Sequence, residues 1–172
     1  VRYLVTVTTR PRRPGEHEGD PYHFVTRQEF DQKIERGDLI EWKMLHRGEF
    51  YGCPRQPVDD GLAAGVDLMK DIDVLGARDV MAAYPADVVP VFVATSSMAD
   101  LEKRIRGRSH APEAEVQERL ARARMEMEHQ DRFKYLLFND DLAESAEQLA
   151  RIVAEERVAR ETRGTEGPLA GA

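Results

Sequence analysis

Arg10, Arg12 and Arg13 fall within four positions of the segment Thr8-Thr9-Arg10-Pro11-Arg12-Arg13-Pro14-Gly15-Glu16. A guanidinium presents paired N–H donors that match phosphate oxygens. Pro11 and Pro14 restrict the loop, which lowers the entropy lost in holding it. The chemistry indicated is capture of an anion. The same charge run also reads as a solvated basic loop, and alone it does not choose between the two. Further segments with polar or aromatic chemistry follow in order. They are Asp20-Pro21-Tyr22-His23-Phe24-Val25, Glu41-Trp42, Tyr51-Gly52-Cys53-Pro54, Asp71-Ile72-Asp73-Val74-Leu75-Gly76-Ala77, Arg104 through Arg108, and Asn139-Asp140-Asp141-Leu142.

These residues need elements to position them. The β-branched, apolar run from Tyr3 to Thr9 predicts a strand, and the breaker-rich stretch from Arg10 to Asp20 a loop. Tyr22 to Val25 alternates as a short strand. Thr26 and Glu29 form a capping box that opens a helix carrying Phe30 and Ile34 and stopping at Gly37. Leu39 to Leu45 and Glu49 to Tyr51 predict two strands around a turn at Gly48. A short helix is expected over 58–64, a strand over 66–74, a helix over 76–84 and a buried strand over 88–94. Ser97 and Asp100 form a second capping box, opening a helix that ends at Gly107. A charged helix runs from Glu113 to about His129, and a strand from Phe133 to Phe138. Asp141 caps a last helix whose apolar face is Leu142, Ala146, Leu149 and Val153. Strands alternating with helices in the second half indicate a parallel α/β sheet. The short consecutive strands of the first half suggest a small antiparallel insertion.

The whole-chain numbers narrow the class. A length of 172 residues suits one domain with small insertions and allows a real core. A net charge of -7, from 25 basic and 32 acidic residues, argues against a general nucleic-acid binder. No run of 18 apolar residues predicts a membrane span, and no signal peptide is recognisable. The single cysteine, Cys53, supports neither an internal disulfide nor a multi-cysteine metal site, so a reducing, cytoplasmic setting is expected.

Taken in order, the six segments and the arginine loop resemble guanylate kinase from about Tyr3 to about Arg157. The resemblance implies an α/β fold of the P-loop kinase type. A parallel sheet flanked by helices would carry an inserted β-rich nucleotide-monophosphate-binding domain and a helical lid, with the first strand and P-loop missing. It implies a core strand over 1–9, a GMP-binding subdomain over 10–57, core over 58–104, lid over 105–127, core over 128–157 and a disordered tail over 158–172.

The resemblance also assigns roles. Arg10, Arg13, Tyr22 and Tyr51 would hold the monophosphate of GMP or dGMP, with two guanidinium groups neutralising it and two phenols completing the shell. As isolated residues, the two tyrosines would be half-buried packing aromatics. Glu41 would accept the guanine N1–H and exocyclic amine. Thr6 would place a hydroxyl near the base and Asp73 a carboxylate facing it. Arg104, Arg108 and Arg119 would be the lid arginines that meet charge on the transferring phosphoryl group. Asn139 would lie near the adenine of ATP, a role beside which its plainer one, ending a strand before the Asp141 cap, stays open. ATP and Mg²⁺ are the implied cofactors, with Asp71 a candidate to reach the metal through water.

Three positions depart from the family pattern. Cys53 stands where a Ser or Thr hydroxyl is usual, and a thiol is a weaker donor, so weaker or relaxed guanine binding is expected. Asp71 stands where Glu is common and Leu75 where Gln is common. The larger departure is the P-loop, G-x-x-x-x-G-K-[ST]. None of the 12 glycines is followed by lysine. With Val1 in place of an initiating Met, the expectation is that this chain is an N-terminally truncated or inactive guanylate kinase. Its normal reaction would be ATP + GMP → ADP + GDP. The alternative is a catalytically dead module that binds GMP, or an acidic or phosphorylated partner, through Arg10, Arg13 and Tyr22.

Overall fold

The computed structural model describes residues 1–44, 48–108 and 112–165, without the side chains of Arg108 and residues 163–165. It divides into two compact units, Val1–Val88 and Val89–Ala172.

The first unit is built on a five-stranded mixed sheet of β2 (Thr6–Thr8), β3 (His17–Glu18), β4 (Pro21–Phe24), β5 (Leu39–Met44) and β6 (Phe50–Pro54), ordered β3-β4-β2-β6-β5. β2 runs parallel to β4 and β4 to β3, whereas β6 is antiparallel to both β2 and β5. The insertion is therefore mixed, not simply antiparallel, because the chain returns to pair β4 beside β2 across the long arginine loop.

The expected single strand from Tyr3 to Thr9 is two. β1 (Arg2–Tyr3) pairs parallel with β7 (Leu68–Met69), while β2 joins the five-stranded sheet. Leu4 is buried at the switch, its N–H bonded to the Met69 carbonyl at 2.9 Å. Strand propensity is high throughout the run and carries no mark of a change in partner. The inserted sheet thus takes in residues 6–8, inside the span assigned to the core strand.

One face of the sheet carries the core of Val7, Phe30, Leu39 and Phe50, with Val25 and Ile34 packed against it. Phe30 comes from α1 (Arg27–Glu35). There Thr26 accepts from the Glu29 N–H, and the Glu29 carboxylate accepts from the Thr26 N–H at 2.7 Å, which is the capping box expected. Gly52 admits this packing, since a Cβ there would stand 2.8 Å from Leu39 Cδ1 and 3.1 Å from Phe30 Cζ. Two further helices follow, α2 (Arg55–Ala63) and α3 (Val74–Ala83). Pro57 lies in the first turn of α2, where its missing N–H costs nothing. The strand expected over 66–74 shrinks to β7, and Asp73 instead caps α3.

The second unit contains the parallel pair β8 (Val91–Ala94) and β9 (Tyr135–Phe138), with α4 (Met98–Arg108), α5 (Glu113–Met127) and α6 (Leu142–Thr165). Ser97 accepts from the Asp100 N–H at 3.1 Å at the start of α4. Arg106 links α4 to α5 through Glu113, and Val116 and Leu120 bury one side of α5. Asp141 accepts from the Ala143 and Glu144 N–H groups at 2.8 and 2.9 Å, capping α6. The apolar face of α6 is half the one expected, with Leu149 and Val153 on its covered side. Leu142 is 78% exposed and Ala146 is exposed, while Ser145, Leu149, Ile152, Val153 and Glu156 are covered. The helix also continues through residue 165, past position 158, where a disordered tail was expected to begin.

Candidate functional site

The face of the five-stranded sheet opposite Phe30 gathers most of the candidate residues. Strand alternation and register set Thr6 beside Tyr22, Thr8 beside Phe24 and Tyr51, Lys43 beside Tyr51, and Glu41 beside Cys53. A β-bulge makes this possible. Leu39 pairs with Pro54 and Glu41 with Cys53, leaving Ile40 as the extra residue. In a regular strand, Leu39 and Glu41 would share a face. The bulge sends Leu39 to the core and Glu41 to the opposite side.

At one end of this face lies Arg10, with 5% of its surface exposed. Its Nη1 and Nη2 donate to the two Glu16 carboxylate oxygens at 3.0 and 2.7 Å, and Nη1 also to the Pro11 carbonyl at 2.8 Å. The guanidinium stands 5.3 Å from the Tyr22 ring centroid and 5.6 Å from that of Phe24. Tyr22 and Tyr51 meet edge to face at 5.7 Å. The Glu16 hydrogen bonds, followed by one to Tyr51, hold Arg10 more firmly protonated than a solvated arginine. Burial raises the Tyr22 pKa, so the phenol keeps its proton as a donor. Arg10, Tyr22 and Tyr51 are thus brought together. Arg13 is exposed, and its backbone N–H donates to Glu16 at 2.8 Å.

At the other end lies Glu41, 8% exposed. Burial pushes its pKa up; Lys43 and Lys70 oppose the shift, while Asp73 and Asp79 add to it. Gly76, in the first turn of α3, lets that helix approach closely, since a Cβ there would stand 3.1 Å from Glu41 Oε2. Across the strand pair, burial above all holds the Cys53 thiol up at about 12, so it remains S–H. Asp73 accepts from the Gly76 N–H at 2.9 Å and pairs with Lys43 Nζ at 2.5 Å. Thr6 is buried and accepts a hydrogen bond from Lys70. Asp71 accepts from the Tyr3 hydroxyl.

Sequence reasoning missed Lys43, Lys70 and Gly76. Lys43 had a signal, standing two residues after Glu41 and therefore on its face. Lys70 and Gly76 had none, because what matters is which strand and side chain they approach across the fold.

In the second unit, Arg104 donates to the backbone carbonyls of Asn139 at 2.5 Å and Asp140 at 3.0 Å. It lines an open cleft with Ser96, Asp100, Lys103 and Asp140. The Asn139 side-chain oxygen accepts from Ser145, and its N–H donates to the Ala94 carbonyl. Arg119 pairs with Glu115 one turn earlier on α5 at 2.5 Å. The Arg108 side chain lies outside the described residues.

A family model described as guanylate kinase matches residues 1–156. The guanylate kinase of Agrobacterium fabrum is 41% identical over 163 residues, covering 95% of this chain and 74% of that protein. The guanylate kinase of Synechococcus sp. (strain JA-3-3Ab) is 42% identical over 151 residues, covering 88% and 69%. The crystal structure of guanylate kinase from Anaplasma phagocytophilum matches with a TM-score of 0.74 and 34% identity, covering 90% of this chain and 74% of that one.

The chain belongs to the guanylate kinase family.

Guanylate kinases are nucleoside monophosphate kinases, and the family implies ATP and Mg²⁺. Among the described residues, no group of three or more His, Cys, Asp or Glu side chains could hold a metal ion. Asp71 is shared with the Tyr3 hydroxyl and lies 3.9 Å from the Lys70 ammonium. The 172 residues also contain no Gly-Lys pair to close a phosphate-cradling loop. No helix among the described residues is long and apolar enough to cross a membrane.

Proposed function

We propose that the five-stranded sheet of this guanylate kinase binds GMP or dGMP as the acceptor for a phosphoryl group from ATP, the products being ADP and GDP. The observation that carries this reading is the polarity of one sheet face. Buried Arg10, with Tyr22 and Tyr51, offers charge-assisted and phenolic donors at one end. Buried Glu41 offers a two-oxygen acceptor at the other. A nucleotide with an anionic head and a base edge of two adjacent N–H donors satisfies both ends, and guanine has that edge. Thr6, Cys53 and Asp73 are assigned to the base side of this site, and Arg13 to the phosphate side. Arg104, Arg108 and Arg119 are assigned to the transferring phosphoryl group, the last two from a lid over 105–127, and Asn139 to the adenine side.

A second reading is a module that binds GMP without transferring phosphate. Both readings require the GMP site, and calorimetric titration of the 172-residue chain tests it. GMP should bind more tightly than AMP. Arg10→Ala should weaken GMP by about 1.5–3 kcal/mol, the range for hydrogen bonds to charged groups, or roughly 10- to 150-fold. Glu41→Ala should bring GMP down to the affinity of AMP. Unchanged GMP affinity in both variants would sink the assignment.

A further inference from the structure

Resting on the GMP reading, we infer that Glu16 is a positioning residue for the monophosphate. It grips the Nη1/Nη2 edge of Arg10 and leaves the Nε/Nη2 edge to meet phosphate oxygens.

The donor count supports this. A guanidinium has five N–H groups. Glu16 takes one from Nη1 and one from Nη2, and the Pro11 carbonyl takes the other from Nη1. What Glu16 and Pro11 leave is the Nε–H and the second Nη2–H, which share one edge and point the same way; the further hydrogen bond that Arg10 makes is to Tyr51, itself one of the phosphate-side donors. A single carboxylate therefore fixes the plane of the guanidinium and chooses the edge it offers. Glu16 is itself held by a third donor, the Arg13 N–H at 2.8 Å, and its own N–H returns to the Arg13 carbonyl at 3.2 Å. The loop from Arg10 to Glu16 is closed on itself, with Arg10 and the Arg13 backbone tied to the same carboxylate.

The surroundings fit the same role. Arg10 is nearly buried against Tyr22 and Phe24, and its charge needs a permanent partner when no ligand is bound. Glu16 supplies that partner without covering the second edge. Hydrogen bonds from Arg10, then from the Arg13 N–H, lower the Glu16 pKa, so the carboxylate stays ionised through the neutral range.

The test is calorimetry on the 172-residue chain with GMP and with guanosine, which lacks the phosphate. Glu16→Ala should weaken GMP at least about tenfold, the loss of one oriented charge-assisted contact, and leave guanosine unchanged. Glu16→Gln, which keeps one acceptor oxygen, should recover part of the loss. A role confined to stability would lower the melting temperature and move both ligands alike or neither. Unchanged or tighter GMP binding in Glu16→Ala overturns the proposal, the tighter case meaning that Glu16 competes with the phosphate. If Glu16→Ala fails to fold, Glu16→Gln decides: GMP weakened with guanosine unchanged supports the role, and GMP unchanged overturns it. If the wild-type chain binds guanosine and not GMP, the phosphate site fails. If it binds neither, the GMP reading fails first, which the Glu41→Ala comparison also reports.

Discussion

Glu41 is a carboxyl group whose surroundings disfavour its charge, and a base edge with two N–H donors requires that charge. Because burial raises its pKa above the ordinary 4.5, the folded protein binds this proton more tightly than the unfolded chain does. The stability gained from Glu41 is therefore complete below its unfolded pKa, and is lost as pH rises through the raised folded value. Ligand binding runs the other way, since only the anion can accept both N–H groups. Guanosine affinity should fall as pH is lowered, and should begin to fall at a higher pH than for a carboxylate titrating at 4.5. Guanosine is the right probe because it has no phosphate to titrate in the same range. In Glu41→Gln the fall should vanish and affinity should be low throughout. A wild-type profile flat down to pH 4.5 would remove Glu41 from base recognition. The facing groups, Lys43 and Lys70 against Asp73 and Asp79, set how far the shift extends. Cys53, beside Glu41, is held as a thiol and adds no charge of its own in this range.

At the scale of elements, the two faces of the sheet have separate duties, and two glycines tell them apart. Gly52 faces the core, and an added Cβ would press on Leu39 at 2.8 Å and Phe30 at 3.1 Å. Gly76 faces the opposite side, where a Cβ would press on Ile72 at 2.8 Å and on Glu41 Oε2 at 3.1 Å. Gly52→Ala should therefore destabilise by about 1–3 kcal/mol, the usual cost of overpacking, while the folded fraction binds GMP as before. Gly76→Ala should weaken GMP by moving the Glu41 carboxylate. Its melting temperature should change less, because alanine recovers about 1 kcal/mol of helix propensity in α3. Thermal melts paired with titrations check both, and equal loss of binding in the two variants would contradict the separation of faces. The sequence readily yielded whatever depends on near neighbours. The Thr26–Glu29 box and the Asp141 cap are contacts over two or three residues, and both formed as their residue types require. The bulge at Ile40 was not legible, because it is defined by a partner strand and local alternation carries no trace of it. The split at Leu4 and the exposure of Leu142 and Ala146 on α6 were not legible for the same reason: what covers a residue is chosen by the fold around it.

For the whole molecule, motif order across most of the chain was enough to name the family, since six segments in sequence constrain far more than any one of them. It did not reveal how Arg10 is held, because that depends on a loop folding back over six residues. The site assembled in Val1–Val88 is the one we propose for the acceptor nucleotide. Phosphoryl transfer additionally needs donor phosphates gripped by backbone N–H groups and a lysine, so that charge in flight meets fixed positive charge. None of the 12 glycines in these 172 residues precedes a lysine. The expected outcome is a dissociation of binding from catalysis. The 172-residue chain should bind GMP by calorimetry, yet a coupled assay with ATP, Mg²⁺ and GMP should register no ADP or GDP above a protein-free control. Robust turnover would overturn the requirement for that loop. If Arg119→Ala then abolished the turnover while leaving GMP affinity intact, Arg119 would be identified as part of what replaces it.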